Sequence, residues 1–145
     1  MYAALLLNAF GTFCMTGLIF LIQLVHYPSF AYVDKENFRL FCDFHQQSTT
    51  YVVLPLMTLE LLTACALPWL IHPSLRTWCW LGLIFVVLIW LSTFFIQVPL
   101  HSELLKGFNQ DTIEKLCWTN WIRTLLWTGR SLLLIGLLFQ SQKLL

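Results

Sequence analysis

Four apolar runs, each about twenty residues long and almost free of charge, constrain this chain more than any other feature. A helix needs about 20 such residues to cross about 30 Å of hydrocarbon. The runs cover roughly 4–26, 50–71, 78–98 and 117–139. The first and third hold no charge, the second holds only Glu60, and the fourth holds Arg123 and Arg130. A membrane β-barrel would show alternating segments of about 10 residues, and these runs are unbroken. The pattern predicts an all-α, four-helix transmembrane bundle forming one integral membrane domain over 1–145. Composition agrees. Only 10% of residues are charged and 59% are apolar, whereas a soluble domain carries about 25% charged residues. Mean hydropathy is +0.75. A soluble monomer and a disordered chain are both excluded. The net charge of +1, with no basic patch, gives nucleic acid nothing to bind.

Prolines punctuate the runs. Pro28, Pro73 and Pro99 stand at span ends, where a helix is expected to stop. Pro55 and Pro68 lie inside the second span, where neighbouring helices can re-satisfy the backbone. The link His72-Pro73-Ser74-Leu75-Arg76-Thr77 is short, so spans two and three are antiparallel neighbours. In the long link after span one, Phe38, Phe41 and Phe44 alternate with Asp34, Lys35, Glu36 and Arg39. This reads as a short interfacial helix within 34–48.

Both long links lie at one face, here the S face. They carry Lys35, Arg39, Lys106 and Lys115, against Arg76 and Lys143 opposite. The positive-inside rule then makes the S face cytoplasmic, with both termini outside. The first apolar run is too long for a signal peptide and has no basic flank. No lipidation signature is present, since Tyr2 follows Met1 and no cysteine lies near Leu145.

The polar residues of the spans fall on stripes. Span four aligns Asn120, Arg123, Thr124, Trp127 and Arg130. Span one aligns Asn8, Thr12, Thr16, Gln23 and His26; span three offers Trp90, Thr93, Gln97 and His101; span two offers Glu60 and Thr63. Lipid cannot satisfy such groups, so the stripes are expected to face one another. Glu60 lies ten residues past Thr50 and Arg130 ten past Asn120, so both sit about 15 Å below the S face. Opposite charges at matched depth predict an ion pair. With Gln23, Gln97, Asn120 and Arg123 above it, and His26, His101 and His45 at the mouth, the pair closes a polar funnel. A weak duplication accompanies this. Phe20-Leu21-Ile22-Gln23 matches Phe94-Phe95-Ile96-Gln97, with His26 and His101 following, and Glu60 is then the counterpart of Arg130.

These residues support several chemistries. Glu60 and Arg130 read as a packing clamp, or as a site whose carboxylate changes protonation during transport or redox turnover. His26 and His101 read as interfacial polar groups, or as axial ligands of haem or of a metal, with His45 as a third candidate. Arg123, near the start of span four, reads as structural or as a seat for an anionic small molecule or lipid headgroup. The five cysteines form no Cys-x-x-Cys pair, and Cys14, Cys65 and Cys79 read as small buried hydrophobes. No P-loop, dinucleotide fingerprint or nucleophile elbow occurs.

The segments His26-Tyr27-Pro28, Gln97-Val98-Pro99-Leu100-His101 and Asn120-Trp121-Ile122-Arg123-Thr124-x-x-Trp127-x-x-Arg130 resemble those of a family of small bacterial four-span membrane proteins. The resemblance covers most of the chain and implies a bacterial inner membrane; it brings no activity or ligand. The microsomal glutathione transferases expect several polar residues in their second helix, which here has only Glu60. The small multidrug transporters carry a glutamate in their first helix, which here has none.

Taken together, Gln23, His26, Glu60, Gln97, His101, Asn120, Arg123 and Arg130 are the expected binding residues of a pocket opening on one face. The favoured reading is a small membrane-embedded enzyme or redox or cofactor-binding protein. A transporter subunit built on Glu60, which would be a homo-oligomer, and a non-catalytic assembly scaffold are the alternatives.

Overall fold

A computed structural model describes residues 2–143. Four helices account for nearly all of it: α1 (Tyr2–Tyr32), α2 (Phe38–Leu70), α3 (Pro73–Leu104) and α4 (Gln110–Gln142). Each is long and apolar enough to cross a membrane, and no strand occurs among the described residues. The protein is a multi-pass, all-α membrane bundle. At 1.5 Å per residue, helices of 31 to 33 residues reach about 50 Å, well beyond a hydrocarbon core of about 30 Å. Their ends therefore stand in the headgroup layers.

One expectation changes here. Residues 34–48 hold no separate interfacial helix. A turn at Asp34, whose carboxylate accepts from the Glu36 amide at 3.0 Å, leads directly into α2. Nothing between Phe38 and Pro55 breaks a helix, and the polar run Gln46-Gln47-Ser48-Thr49-Thr50 continues it. His45 is thereby part of a spanning helix.

The four helices form a ring. α1 packs on α2 and α4, and α3 packs on the same two, so α2 and α4 face each other diagonally. Tight ends hold the order. Asn109 caps α4 by accepting from the Thr112 amide at 3.0 Å, and Gly107, at φ 145°, supplies the left-handed turn before it. Pro73 starts α3 at a position that needs no N–H donor.

Two π turns interrupt the helices, Ile22–His26 in α1 and Thr93–Gln97 in α3. Each is closed by the residue just before a proline: the Tyr27 amide donates to Ile22 O, and the Val98 amide donates to Thr93 O. Pro28 and Pro99 lack the N–H that would continue the α ladder, and the widened turn absorbs the misfit.

The interior has three storeys. An apolar core including Met15, Ile19, Phe30, Phe38 and Trp127 fills the S-face half. A second, with Leu5, Leu67, Leu75 and Leu134, fills the other half. Buried Asn8, Thr12, Glu60 and Arg130 lie between them. The outer surface is apolar, as at Phe10, Leu62, Leu88 and Leu125. Cys65 lies on that outer surface, and all five cysteines are free. An apolar neighbourhood in sequence is satisfied equally by lipid, which is why Cys65 need not be buried.

Candidate functional site

The polar stripes meet inside the ring, in two separate networks. At mid-depth, Arg130 Nε donates to Glu60 Oε1 at 2.8 Å, the ion pair that matched depth predicts. Thr12 Oγ1 donates to the same oxygen at 2.6 Å, and Trp127 Nε1 donates to Glu60 Oε2 at 3.0 Å. Arg130 Nη2 donates to Asn8 Oδ1 at 2.8 Å, and Arg130 Nη1 donates to the carbonyl of Gly82. Asn8 closes the circuit by donating to Glu60 O at 3.0 Å and Thr63 Oγ1 at 2.8 Å. All four helices contribute, and both Glu60 oxygens and all three guanidinium nitrogens have partners. Neither Glu60 nor Arg130 lines the hollow between α2 and α3 or the one beside Asn109.

The second network lies two to three turns nearer the S face. Gln23 Nε2 donates to Cys117 O at 3.0 Å, and Asn120 Nδ2 donates to Gln23 Oε1 at 2.9 Å. Arg123 Nε donates to Asn120 Oδ1 at 2.9 Å, and Arg123 Nη2 reaches the Tyr27 oxygen at 3.1 Å. Tyr27 lies 2.9 Å from His101 Nε2. The tyrosine oxygen accepts from Arg123 and shares a hydrogen bond with His101, in which either group can be the donor. Beside them, His26 Nε2 and His45 Nδ1 are 2.6 Å apart, and Thr49 Oγ1 is 3.1 Å from His45 Nδ1.

Arg123 is 6% exposed. Among the described residues, the only acidic partners of a basic side chain are Glu60, on Arg130, and Glu103, on Lys106. Arg123 is therefore buried without a carboxylate, and none of the recorded hydrogen bonds uses its Nη1.

Beside this network lies a cavity of about 370 Å³, walled by α2 on one side and α3 on the other. Arg123, His101, Tyr27 and His45 line its S-face end, and Met15, Met57 and Trp127 its depth. Its exposed rim includes Leu54, Phe94 and Val98 on the side towards acyl chains, and Thr50 and Ser102 towards the S face. Trp127 is the floor, and the hollow stops there. The expected funnel down to the ion pair is thus two compartments, because a large indole and two methionines fill the bundle between the polar layers.

Three residues that line this cavity each carry a buried atom without a hydrogen-bond partner among the described residues: Gln46 Nε2, Trp90 Nε1 and Gln97 Oε1. Gln97 is 1% exposed and donates from its nitrogen to Thr119 Oγ1 at 3.2 Å, which leaves its oxygen free. Orphaned buried polar atoms are rare in folded proteins, and three of the four such atoms gather here.

Of the expected residues, Gln97, His101 and Arg123 line the cavity. Gln23 and Asn120 stand behind them and orient Arg123. His26 touches the cluster through His45. His26 is turned to His45 and His101 to Tyr27, with the His45 ring between them, 4.5 Å from His26 and 5.2 Å from His101. Among the described residues no three His, Cys, Asp or Glu side chains converge as a metal-holding group. Tyr27 and Gln46 escaped the reading of the sequence, whereas Trp90 was placed on the polar stripe of span three. Tyr27 was within reach of it, since it lies four residues after Gln23 as His101 does after Gln97.

Comparison with known protein families, with curated proteins and with solved structures gives no match.

Proposed function

We propose that this protein captures an amphiphile with an anionic headgroup from the S-face leaflet. The charge is held at Arg123 and the apolar part lies in the cleft between α2 and α3. The observation that carries the reading is the buried Arg123, which has no carboxylate partner among the described residues and stands at the wall of a cavity that opens to lipid. A buried cation without a counter-charge is costly, and an incoming anion removes that cost with charge-assisted hydrogen bonds. Gln46 Nε2 offers a further donor near the rim, and Gln97 Oε1 an acceptor for a headgroup hydroxyl. The basic residues Lys35, Arg39, Lys106 and Lys115 support a cytoplasmic S face in a bacterial inner membrane, with both termini outside.

Purification in a non-ionic maltoside detergent, followed by native mass spectrometry, tests the proposal. The parent protein retains or takes up an anionic lipid, and Arg123→Gln weakens this at least about tenfold, the effect of losing about 1.4 kcal/mol. Undiminished uptake by the variant overturns the reading.

A second reading, an enzyme acting on that amphiphile, draws on the placement of Tyr27 between Arg123 and His101. Such a chain can deliver or accept a proton at a bound headgroup. Tyr27→Phe then keeps the lipid but stops its conversion; a variant that converts lipid as fast as the parent removes this reading. The saturation of Glu60 by Thr12, Trp127 and Arg130 supports a clamp over a coupling site for transport.

A further inference from the structure

We infer that the amphiphile is an ester-linked glycerophospholipid, recognised by a second contact below its phosphate: the indole N–H of Trp90 donating to an acyl ester carbonyl. This rests on the proposed capture of an anionic amphiphile at Arg123 and names its chemical class.

The contact between Gln97 and Thr119, 3.2 Å, sets the register of α3 against α4. Trp90 lies seven residues deeper than that contact on α3, and Arg123 four residues deeper on α4. At 1.5 Å per residue, Trp90 is about one turn, roughly 5 Å, deeper than Arg123. Both line the same cavity. Trp90 Nε1 is fully enclosed and has no partner in the chain, although an indole N–H normally finds one when buried. Phe94 packs beside the ring at 5.3 Å, and Met57, Val53 and Ile19 line the same cavity.

A ligand that satisfies both groups carries an anionic oxygen at one level and a neutral acceptor a few ångströms deeper, with hydrocarbon beyond. A glycerophospholipid has that layout, since its ester carbonyls hang from glycerol just below the phosphate. A fatty acid has the anion and no acceptor beneath it. An isoprenoid phosphate has hydrocarbon directly below its phosphate, and an ether-linked lipid keeps the glycerol but lacks the carbonyl.

Dioleoyl phosphatidic acid and its dialkyl ether analogue, titrated into the full-length protein in dodecyl maltoside, separate these cases. The parent protein binds the ester form about fivefold more tightly, the effect of one neutral hydrogen bond. Trp90→Phe erases that preference, so that the two lipids bind with equal affinity, and retained binding of the ether form reports that the variant folds. Equal affinities for both lipids in the parent, still dependent on Arg123, overturn the ester contact and leave anion capture standing. Loss of both lipids to the same extent in Trp90→Phe also overturns it, because the indole then acts by packing. Binding of neither lipid by the parent removes both proposals.

Discussion

Arg130 and Arg123 lie seven residues apart on α4, both buried, and their surroundings differ in two respects. Arg130 has every nitrogen committed to the chain and its charge opposed by Glu60 at 2.8 Å. Arg123 is held in place by Asn120 and Tyr27, neutral groups, with Nη1 unused beside a hollow. One arginine completes the fold; the other is positioned by it and left with capacity. Burial alone does not tell them apart, and neither does residue type. The number of unmet hydrogen bonds and the absence of a counter-charge do.

The largest effect that tests this contrast is on the closed layer. Glu60→Gln leaves Arg130 buried without its counter-ion and is expected to lower unfolding free energy by about 3–5 kcal/mol. Unfolding in mixed micelles measures it, and a loss under about 1 kcal/mol removes the distinction between the layers. A Cβ at position 82 would stand 3.0 Å from Arg130 Nη1. Gly82→Ala is thus expected to displace the guanidinium, with a loss of about 1–3 kcal/mol and no change in lipid uptake. Arg123→Gln shifts stability least. It gives up hydrogen bonds of modest worth in a membrane bundle and also removes an unopposed charge, so it is expected to stay within about 1 kcal/mol of the parent. A collapse of that variant would place Arg123 in the clamp.

The fold and the Glu60–Arg130 ion pair were legible in the sequence. Span length follows from the thickness of hydrocarbon, and two opposite charges at equal depth have nowhere else to go. The site was legible only in part. A helical wheel puts His26 on the face of Gln23, but the π turn Ile22–His26 holds more residues per turn. Tyr27 therefore comes inward, 3% exposed, while His26 swings towards His45. His45 looked interfacial because its neighbours are polar, and only the continuity of α2 brings it to the cavity. Trp90 was legible as a member of the span-three stripe but not as an unpartnered donor, since whether an indole N–H finds a partner depends on what the opposite helix places beside it.

Trp127 belongs to both layers: its N–H is held by Glu60 and its ring closes the cavity from below. A floor anchored that way does not yield to a longer tail. Surplus methylene groups must turn out through the side opening and rejoin the bilayer. For the proposed ligand the cleft is thus no molecular ruler; it would inspect the first few carbons and whatever is attached above them, and be indifferent to how far the tail runs.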